Sequence, residues 1–337
     1  MTSKTKTIYI LGSEGTGWSI DKDRQYTIEA ISNINGYKIT NNIFTADIIY
    51  AIWWNALLSK KFILFNTFFK KKIIAAITSD LSHQKDKLKK LLNIVDIFVY
   101  ANNKQKEVLK EFNVKDTNLY FNPFYVDENI FKKLDISKKE LSDNFNIDYN
   151  DIRDKFLIGS FQRDSLGADL SKPKWQKDPD ILIEIMKRLD RNKYILLLAG
   201  PRRHYIINQC IKHSINYIFI GDESYIKNMQ DDIQINSTDI ESMPYLYNLI
   251  NLYIVSSKSE GGPKAIPEAV LSGTNIISTD VGFAKDLIGK QAIYQNSDEA
   301  INTINNIENI TFTNKIKEYY SFERFKSRIE NILRVVK

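Results

Sequence analysis

A single cysteine, Cys210, stands in the whole 337-residue sequence. One thiol cannot close an internal disulfide, which removes the disulfide-stapled secreted classes and fits a reducing compartment. No uninterrupted apolar stretch comes near the roughly 20 residues that a membrane-spanning helix needs. The opening "MTSKTKTIYILGSEG" carries an apolar run far too short for a secretory signal. Zinc-ligand spacings, an RRM-type signature and a short fixed repeat period are also missing, which removes zinc modules, that RNA-binding class and solenoids. The expectation is a soluble, cytoplasmic protein, with the inner face of the membrane as the alternative location.

What is present is ordinary globular material, with 43% hydrophobic and 26% charged residues. The length exceeds one ordinary core and suits two domains. Isoleucine, asparagine and lysine are abundant in the manner of a biased genome, and no function follows from that. The net charge of +6 and pI near 9.0 admit two readings, an anionic partner or simply well-solvated lysines. A nucleic-acid partner would rest on charge alone, so none is expected.

The order of patterns is informative. "TIYILG" reads as a strand, followed by the glycine-rich turn "SEGTGWSIDKD", a helix, and "ADIIYAIWW" as a second buried strand. "NALLSKKFILFNTFFKKK" reads as an amphipathic helix, "IIAAITS" as a strand, and "DKLKKLLN", "DIFVYA", "NKQKEVLKEF" and "NLYFNPF" continue the alternation. Short buried strands separated by helices imply a parallel sheet covered on both faces. The polar segment "YVDENIFKKLDISKKELSDNFNIDYNDIRD" interrupts the rhythm, which restarts at "KFLIGSF" and runs through "NIIST" and "AKDLIG". The fold class predicted is α/β, with two Rossmann-like domains facing each other across a cleft. Their expected bounds are 1–123, joined by the C-terminal amphipathic helix 322–337, and 124–321. Phe322, Phe325, Ile329, Ile332 and Leu333 share one face of that helix, which suits capping either domain.

The stretch "SKSEGGPKAIPEAVLSG" follows the apolar run "NLYIVS" and sets Glu260 and Glu268 around a Gly-Gly-Pro. Ligands of open parallel sheets bind beyond the carboxyl ends of strands, and this is such a place. Pro267 is tolerated only within a first helical turn, which puts the helix start near Lys264. The backbone N–H groups of Lys264, Ala265 and Ile266 then lack intrahelical partners and suit a phosphate. Carboxylates beside such a site are poor phosphate ligands but good acceptors for sugar hydroxyls. A phosphate flanked by two hydroxyl acceptors describes a nucleotide-sugar. Read in isolation, Glu268 is equally a solvated helix residue.

"SEGGPKAIPEAVLSGTNIISTDVG" resembles the E-x7-E motif of retaining glycosyltransferases with the two-Rossmann (GT-B) fold, family 4, the glycosyl transferases group 1. The resemblance extends upstream through "IGSFQRD…KPKWQKDPDILIEI" and "YILLLAGPRR" and covers most of residues 155–290. It implies that Glu260 accepts hydrogen bonds from the donor sugar, with Gly261, Gly262 and Pro263 allowing close backbone approach. Glu268 would bind the ribose, and the Lys264 and Ala265 amides would face the diphosphate. The basic pair that neutralises the diphosphate would be Arg163 and Lys177, with Lys172 and Lys174 as rivals, because "DSLGADLSKPKWQ" is inserted between them. A surface role for Arg163 and a local charge pair of Lys177 with Asp178 are the alternatives. His83 is a further catalytic candidate and equally an exposed loop histidine. Gly15 and Gly17 of "GSEGTGW" would bring backbone N–H groups to the diphosphate, or form a plain tight turn.

The resemblance implies transfer with retention, by front-face attack in which the leaving phosphate takes the acceptor's proton. That scheme requires no metal and no cofactor beyond the UDP- or GDP-sugar co-substrate. The Asp-x-Asp triplets at 21–23 and 178–180 do not end buried strands, as a metal-dependent enzyme would require. The acceptor would be a glycan or glycolipid of a surface polysaccharide or lipopolysaccharide pathway. The segment around Trp53–Lys72 interleaves aromatics with lysines, which suits an anionic membrane surface, or a helix packing Leu58, Phe62 and Phe65 inward. A two-Rossmann nucleotide-sugar epimerase and a catalytically silent nucleotide-sugar-binding protein remain the competing readings.

Overall fold

The computed structural model describes residues 5–15, 19–310 and 315–336. Two compact units emerge, Met1–Asp127 with Glu318–Lys337, and Glu128–Lys317.

In the first unit six parallel strands take the order β2-β1-β3-β4-β5-β6. They are β1 (Lys6–Leu11), β2 (Tyr37–Ile39), β3 (Ile48–Ala51), β4 (Lys72–Ala76), β5 (Ile97–Tyr100) and β6 (Leu119–Phe121). Side chains alternate between the two covered faces with the strand period of two. Ile48 and Tyr50 of β3, Ile74 of β4 and Val99 of β5 pack into one core with Ala30 and Ile31 of the Ser19–Ser32 helix. Ile49, Ala51, Ile73, Ala75 and Phe98 pack into the other, with Trp54, Leu57 and Leu88. The short β2 has no counterpart in the sequence expectation, since three half-exposed residues carry no periodicity. Trp53 and Trp54 do not extend β3. A 3-10 turn begins at Trp54, whose indole donates to Ser79 Oγ at 3.0 Å.

The single helix expected over "NALLSKKFILFNTFFKKK" is in fact two pieces, Trp54–Leu58 and Lys60–Phe69, broken at Ser59. Ser59 is extended and its hydroxyl accepts from Phe62 N–H at 3.2 Å, an N-cap that starts a new helix where hydrophobic spacing alone continues the old one. The C-terminal helix Phe322–Val335 belongs to this unit: Phe325, Ile329, Ile332 and Leu333 are buried against Ile8, Ile10 and Ile31.

The second unit carries a five-stranded parallel sheet, β11-β10-β7-β8-β9. Its strands are β7 (Phe156–Ser160), β8 (Tyr194–Ala199), β9 (Tyr217–Ile220), β10 (Leu252–Val255) and β11 (Asn275–Ser278). The polar segment after Asp127 enters this unit as two short helices, Lys138–Asp143 and Tyr149–Ile152. A Ser137/Glu140 capping box starts the first of them.

Candidate functional site

In the second unit the strand order reverses between β7 and β10: the chain builds β7, β8 and β9 to one side, then returns to lay β10 and β11 on the other. A crevice beyond the carboxyl ends is expected at such a reversal. The candidate residues hang from these two strands, 161–164 after β7 and 256–260 after β10.

Glu260 is not left unpaired in the protein. Its Oε1 is held by the Lys177 ammonium and receives the Ser257 hydroxyl at 2.8 Å. Both charged side chains are largely shielded, at 22% and 17% exposure for Lys177 and Glu260. Asp178 is instead matched by Lys258 at 2.9 Å, so Lys177 is not merely the partner of its neighbour. Side-chain and backbone bonds lace the two loops together. Gln162 Nε2 donates to Ser256 Oγ at 3.0 Å, Ser256 donates to the Lys177 carbonyl at 2.8 Å, and Lys258 N–H donates to the Gln176 carbonyl at 2.8 Å.

Arg163, Lys174 and Lys177 gather around this carboxylate. Burial, reinforced by the Arg163 and Lys177 charges, pulls the Lys174 ammonium down to about 8, against the partial relief that Glu260 gives. Lys172 lies apart, 68% exposed and paired with Asp169 at 3.2 Å. The inserted "DSLGADLSKPKWQ" explains the difference. It folds as a small hairpin in which Ser165 pairs with Pro173 and Leu166 N–H donates to the Lys172 carbonyl at 3.1 Å. Lys174 N–H then returns to the Asp164 carbonyl at 2.6 Å, so the insertion brings Lys174 back beside Arg163 while Lys172 stays at the hairpin. A Cβ on Gly167 would meet the Arg202 guanidinium at 2.4 Å, so a larger residue there would have to displace that side chain.

Behind the loop lies an ion pair that sequence reasoning missed. Arg203 and Asp164 are essentially fully buried, with Arg203 Nε 3.0 Å from Asp164 Oδ2. Arg203 also donates to Ser160 Oγ at 3.1 Å, and Asp164 Oδ1 accepts from Ile206 N–H at 3.1 Å. Burial pushes the Asp164 carboxyl up to about 6 even though Arg203 pulls the other way. The pair ties the end of β7 to the start of the His204–His213 helix and so fixes the loop that carries Arg163. The "AGPRR" letters were the available signal.

Glu268 sits in the short helix Ala265–Leu271, whose N-cap is Lys264. The expected trio of open N–H groups is reduced, since Ile266 N–H donates to the Pro263 carbonyl at 3.0 Å. Pro267 lies in the first turn. Glu268 Oε2 accepts from the buried Tyr247 hydroxyl at 2.9 Å, and burial together with the Glu268 charge raises the Tyr247 phenol well above its ordinary range. Tyr247 was hidden in sequence because "MPYLYNLI" reads as a plain apolar helix. The Gly-Gly-Pro backs onto the "TDVG" turn: a Cβ on Gly282, at φ +50°, would meet Gly262 Cα at 2.9 Å. Gly261 and Pro263 are buried beside that contact.

The remaining candidates belong to the first unit. His83 is 57% exposed in the loop after β4, with Nε2 3.9 Å from Asp80 Oδ2. Gly15 adopts φ +67° and its N–H donates to Ser13 Oγ at 3.1 Å, so that donor is used inside the turn. Gly17 lies outside the described residues.

Comparison with known proteins gives a consistent picture. The family model described as "Glycosyl transferases group 1" matches residues 170–319, a span that includes Lys174, Lys177, Glu260 and Glu268. No curated protein is significantly similar in sequence. Among solved structures, the chain is similar to Anabaena HepE in complex with UDP, at 13% identity over 98% of this chain and 99% of that one, with a TM-score of 0.70. It is similar to sucrose-phosphate synthase from Thermosynechococcus elongatus, at 13% identity over 98% and 95% of the two chains, TM-score 0.67. It is also similar to the lipopolysaccharide outer core galactosyltransferase WaaB, at 12% identity over 98% and 99%, TM-score 0.60. At these identities the likeness establishes the architecture, two parallel α/β sheets in the GT-B arrangement of glycosyltransferases.

Proposed function

We propose that this chain is a glycosyltransferase that moves a sugar from a UDP- or GDP-sugar to a glycan or glycolipid acceptor with retention of configuration. The observation that carries the reading is Glu260, held by Lys177 and Ser257 at the sheet's reversal point, inside the span matched by the group 1 family model. HepE is solved with UDP-glucose as well as with UDP, which supports a nucleotide-sugar donor here. WaaB acts on a lipopolysaccharide outer core, which supports a surface-polysaccharide setting.

In this reading Arg163, Lys174 and Lys177 face the diphosphate, with the Lys264 and Ala265 amides beside it. Glu260 accepts from hydroxyls of the donor sugar and Glu268 from the ribose. The acceptor hydroxyl oxygen forms a bond to the anomeric carbon as that carbon's bond to the phosphate oxygen breaks. The departing phosphate takes the hydroxyl proton, leaving a glycoside and a nucleoside diphosphate. Fixed cations stabilise the charge that develops on the leaving group without reorganising. The scheme asks for no metal, so chelation by EDTA should leave the rate unchanged. The protein would work at the inner face of a membrane, touching anionic lipid through the Lys60–Phe69 helix.

Calorimetric titration with UDP and GDP, followed by transfer assays, tests the reading. Glu268→Ala should weaken nucleotide binding about 10- to 100-fold, the worth of a hydrogen bond to a charged group. Glu260→Ala should keep nucleotide affinity and lower turnover. Full activity in both variants would remove the role assignments. Donor consumption without any acceptor would favour an epimerase instead.

A further inference from the structure

Packing alone does not account for the hydroxyl of Tyr247. The residue belongs to the helix Met243–Leu249 and is 1% exposed. The rings of Phe131, Phe161 and Tyr253 surround it, with centroids 6.1, 5.5 and 5.3 Å away. A phenylalanine would fill such an aromatic niche without taking a polar group out of water. The hydroxyl is aimed at one acceptor, donating to Glu268 Oε2 at 2.9 Å. It is also hydrogen-bonded to the Tyr253 hydroxyl, which itself accepts from Phe161 N–H at 3.2 Å. The Tyr247 backbone is pinned as well, its carbonyl accepting the Thr274 hydroxyl at 2.5 Å. The phenol is therefore placed by its surroundings before any ligand arrives.

Glu268 is half-buried in the helix Ala265–Leu271, and its side chain is long enough to take several orientations. A donor fixed on Oε2 restricts where the carboxylate plane can lie, which lowers the ordering cost of binding. A hydrogen bond donated to a carboxylate also favours its charged form. Burial and the Glu268 charge hold the Tyr247 phenol well above its ordinary range, so the proton for that bond stays in place at neutral and mildly alkaline pH. An oriented, ionised carboxylate accepts from the hydroxyls of a ribose and has no comparable bond to offer a ring without them.

We propose that Tyr247 is the positioning residue for Glu268, setting the carboxylate so that the site selects nucleotides with ribose hydroxyls over deoxy forms. Enclosed as it is, Tyr247 acts through Glu268 and not on the ligand itself. Taking Glu268 as the ribose acceptor rests on the glycosyltransferase reading; the contact between the two side chains does not.

The test is calorimetric titration of the full chain with UDP, GDP and the 2′,3′-dideoxy analogue of each. Tyr247→Phe keeps the ring and removes one oxygen. It should weaken binding of the preferred ribonucleotide about 3- to 10-fold, the scale of one hydrogen bond, and leave the dideoxy analogue at its wild-type affinity. That retained affinity also shows the variant's site to be folded. In a Glu268→Ala background the same substitution should cost nothing further, because the group it acts through is gone. An equal loss for ribo and dideoxy forms would make Tyr247 a packing residue and overturn the proposal. So would a loss that persists undiminished in the Glu268→Ala background. A Tyr247→Phe variant that binds like the wild type, beside a weakened Glu268→Ala, overturns this proposal alone and leaves the donor reading standing. If neither ribonucleotide binds the wild type, or Glu268→Ala keeps full affinity, or the dideoxy forms bind as tightly as the ribo forms, the ribose role of Glu268 falls and takes the role of Tyr247 with it.

Discussion

Among the site's cations, Lys174 is strongly altered by its surroundings. An ammonium that is mostly buried, beside Arg163 and Lys177, loses its proton near pH 8 rather than in the ordinary lysine range. A nucleoside diphosphate would favour its charged form, so nucleotide affinity should fall as pH rises through about 8. The sign for stability is opposite. With the folded value depressed, the folded chain binds fewer protons than the unfolded one between about 8 and the ordinary value of 10.5, so this group adds stability as pH rises through that window. Calorimetry of UDP binding at pH 7 and pH 9 should show the affinity loss in the wild type and a much flatter profile in Lys174→Met. An unchanged slope in the variant would place the titrating group elsewhere. Glu260 and Glu268 were legible in sequence because their spacing and the Gly-Gly-Pro are local. The partners were not: Lys177 lies 83 positions from Glu260 and Tyr247 lies 21 from Glu268, distances that only the sheet closes. Lys174 was open to choice in sequence because its place depends on how the inserted hairpin turns back.

At the scale of an element, the helix Lys60–Phe69 combines two properties that seldom coexist on an isolated surface. Leu64, Phe68 and Phe69 are exposed, Phe68 at 74%, and Phe44 joins them, its ring 5.2 Å from that of Phe69. Lys60, Lys61, Lys70, Lys71 and Lys72 flank the patch, and no acidic residue occurs in the sequence between Asp47 and Asp80. Lys72 is matched by Asp96 at 3.5 Å, while the inner side of the helix buries Phe62. Apolar tips ringed by cations suit an anionic lipid surface, where each nearby lysine contributes about 1 kcal/mol. Flotation with vesicles containing phosphatidylglycerol should therefore recover the wild-type protein, and the double variant Leu64→Ser/Phe68→Ser should bind at least tenfold more weakly. Retention of binding to purely zwitterionic vesicles by the double variant would exclude this face as the anchor. Sequence reading recovered the aromatic–lysine interleaving but ran one helix through Ser59, because the hydrophobic spacing continues across it. The break is made by a hydroxyl accepting one backbone N–H, an interaction worth about 1 kcal/mol that spacing does not register.

For the molecule as a whole, the chain leaves the first unit at Asp127 and returns to it at Glu318, so 20 C-terminal residues complete a core begun at the other end of the sequence. The alternation of strands and helices made both sheets legible, since each pattern is local. The last helix was expected with the first unit, although its apolar face alone suits either one, and what seats it there is the surface that Ile8, Ile10 and Ile31 form for Phe325, Ile329 and Leu333. Ile329 and Leu333 are fully buried there. Removing each side chain beyond Cβ costs about 2–5 kcal/mol, and a domain's entire stability is about 5–15 kcal/mol. The pair Ile329→Ala/Leu333→Ala should thus come close to unfolding the first unit while leaving the second unit's sheet intact. Hydrogen exchange resolves the outcome by segment. Amides of β1 and β3 should lose protection by several orders of magnitude, and those of β7, β8 and β10 should keep wild-type rates. If protection fell equally in both groups of strands, the two units would unfold as one cooperative body, and the C-terminal helix would be a fastener for the entire chain rather than for the unit in which it sits.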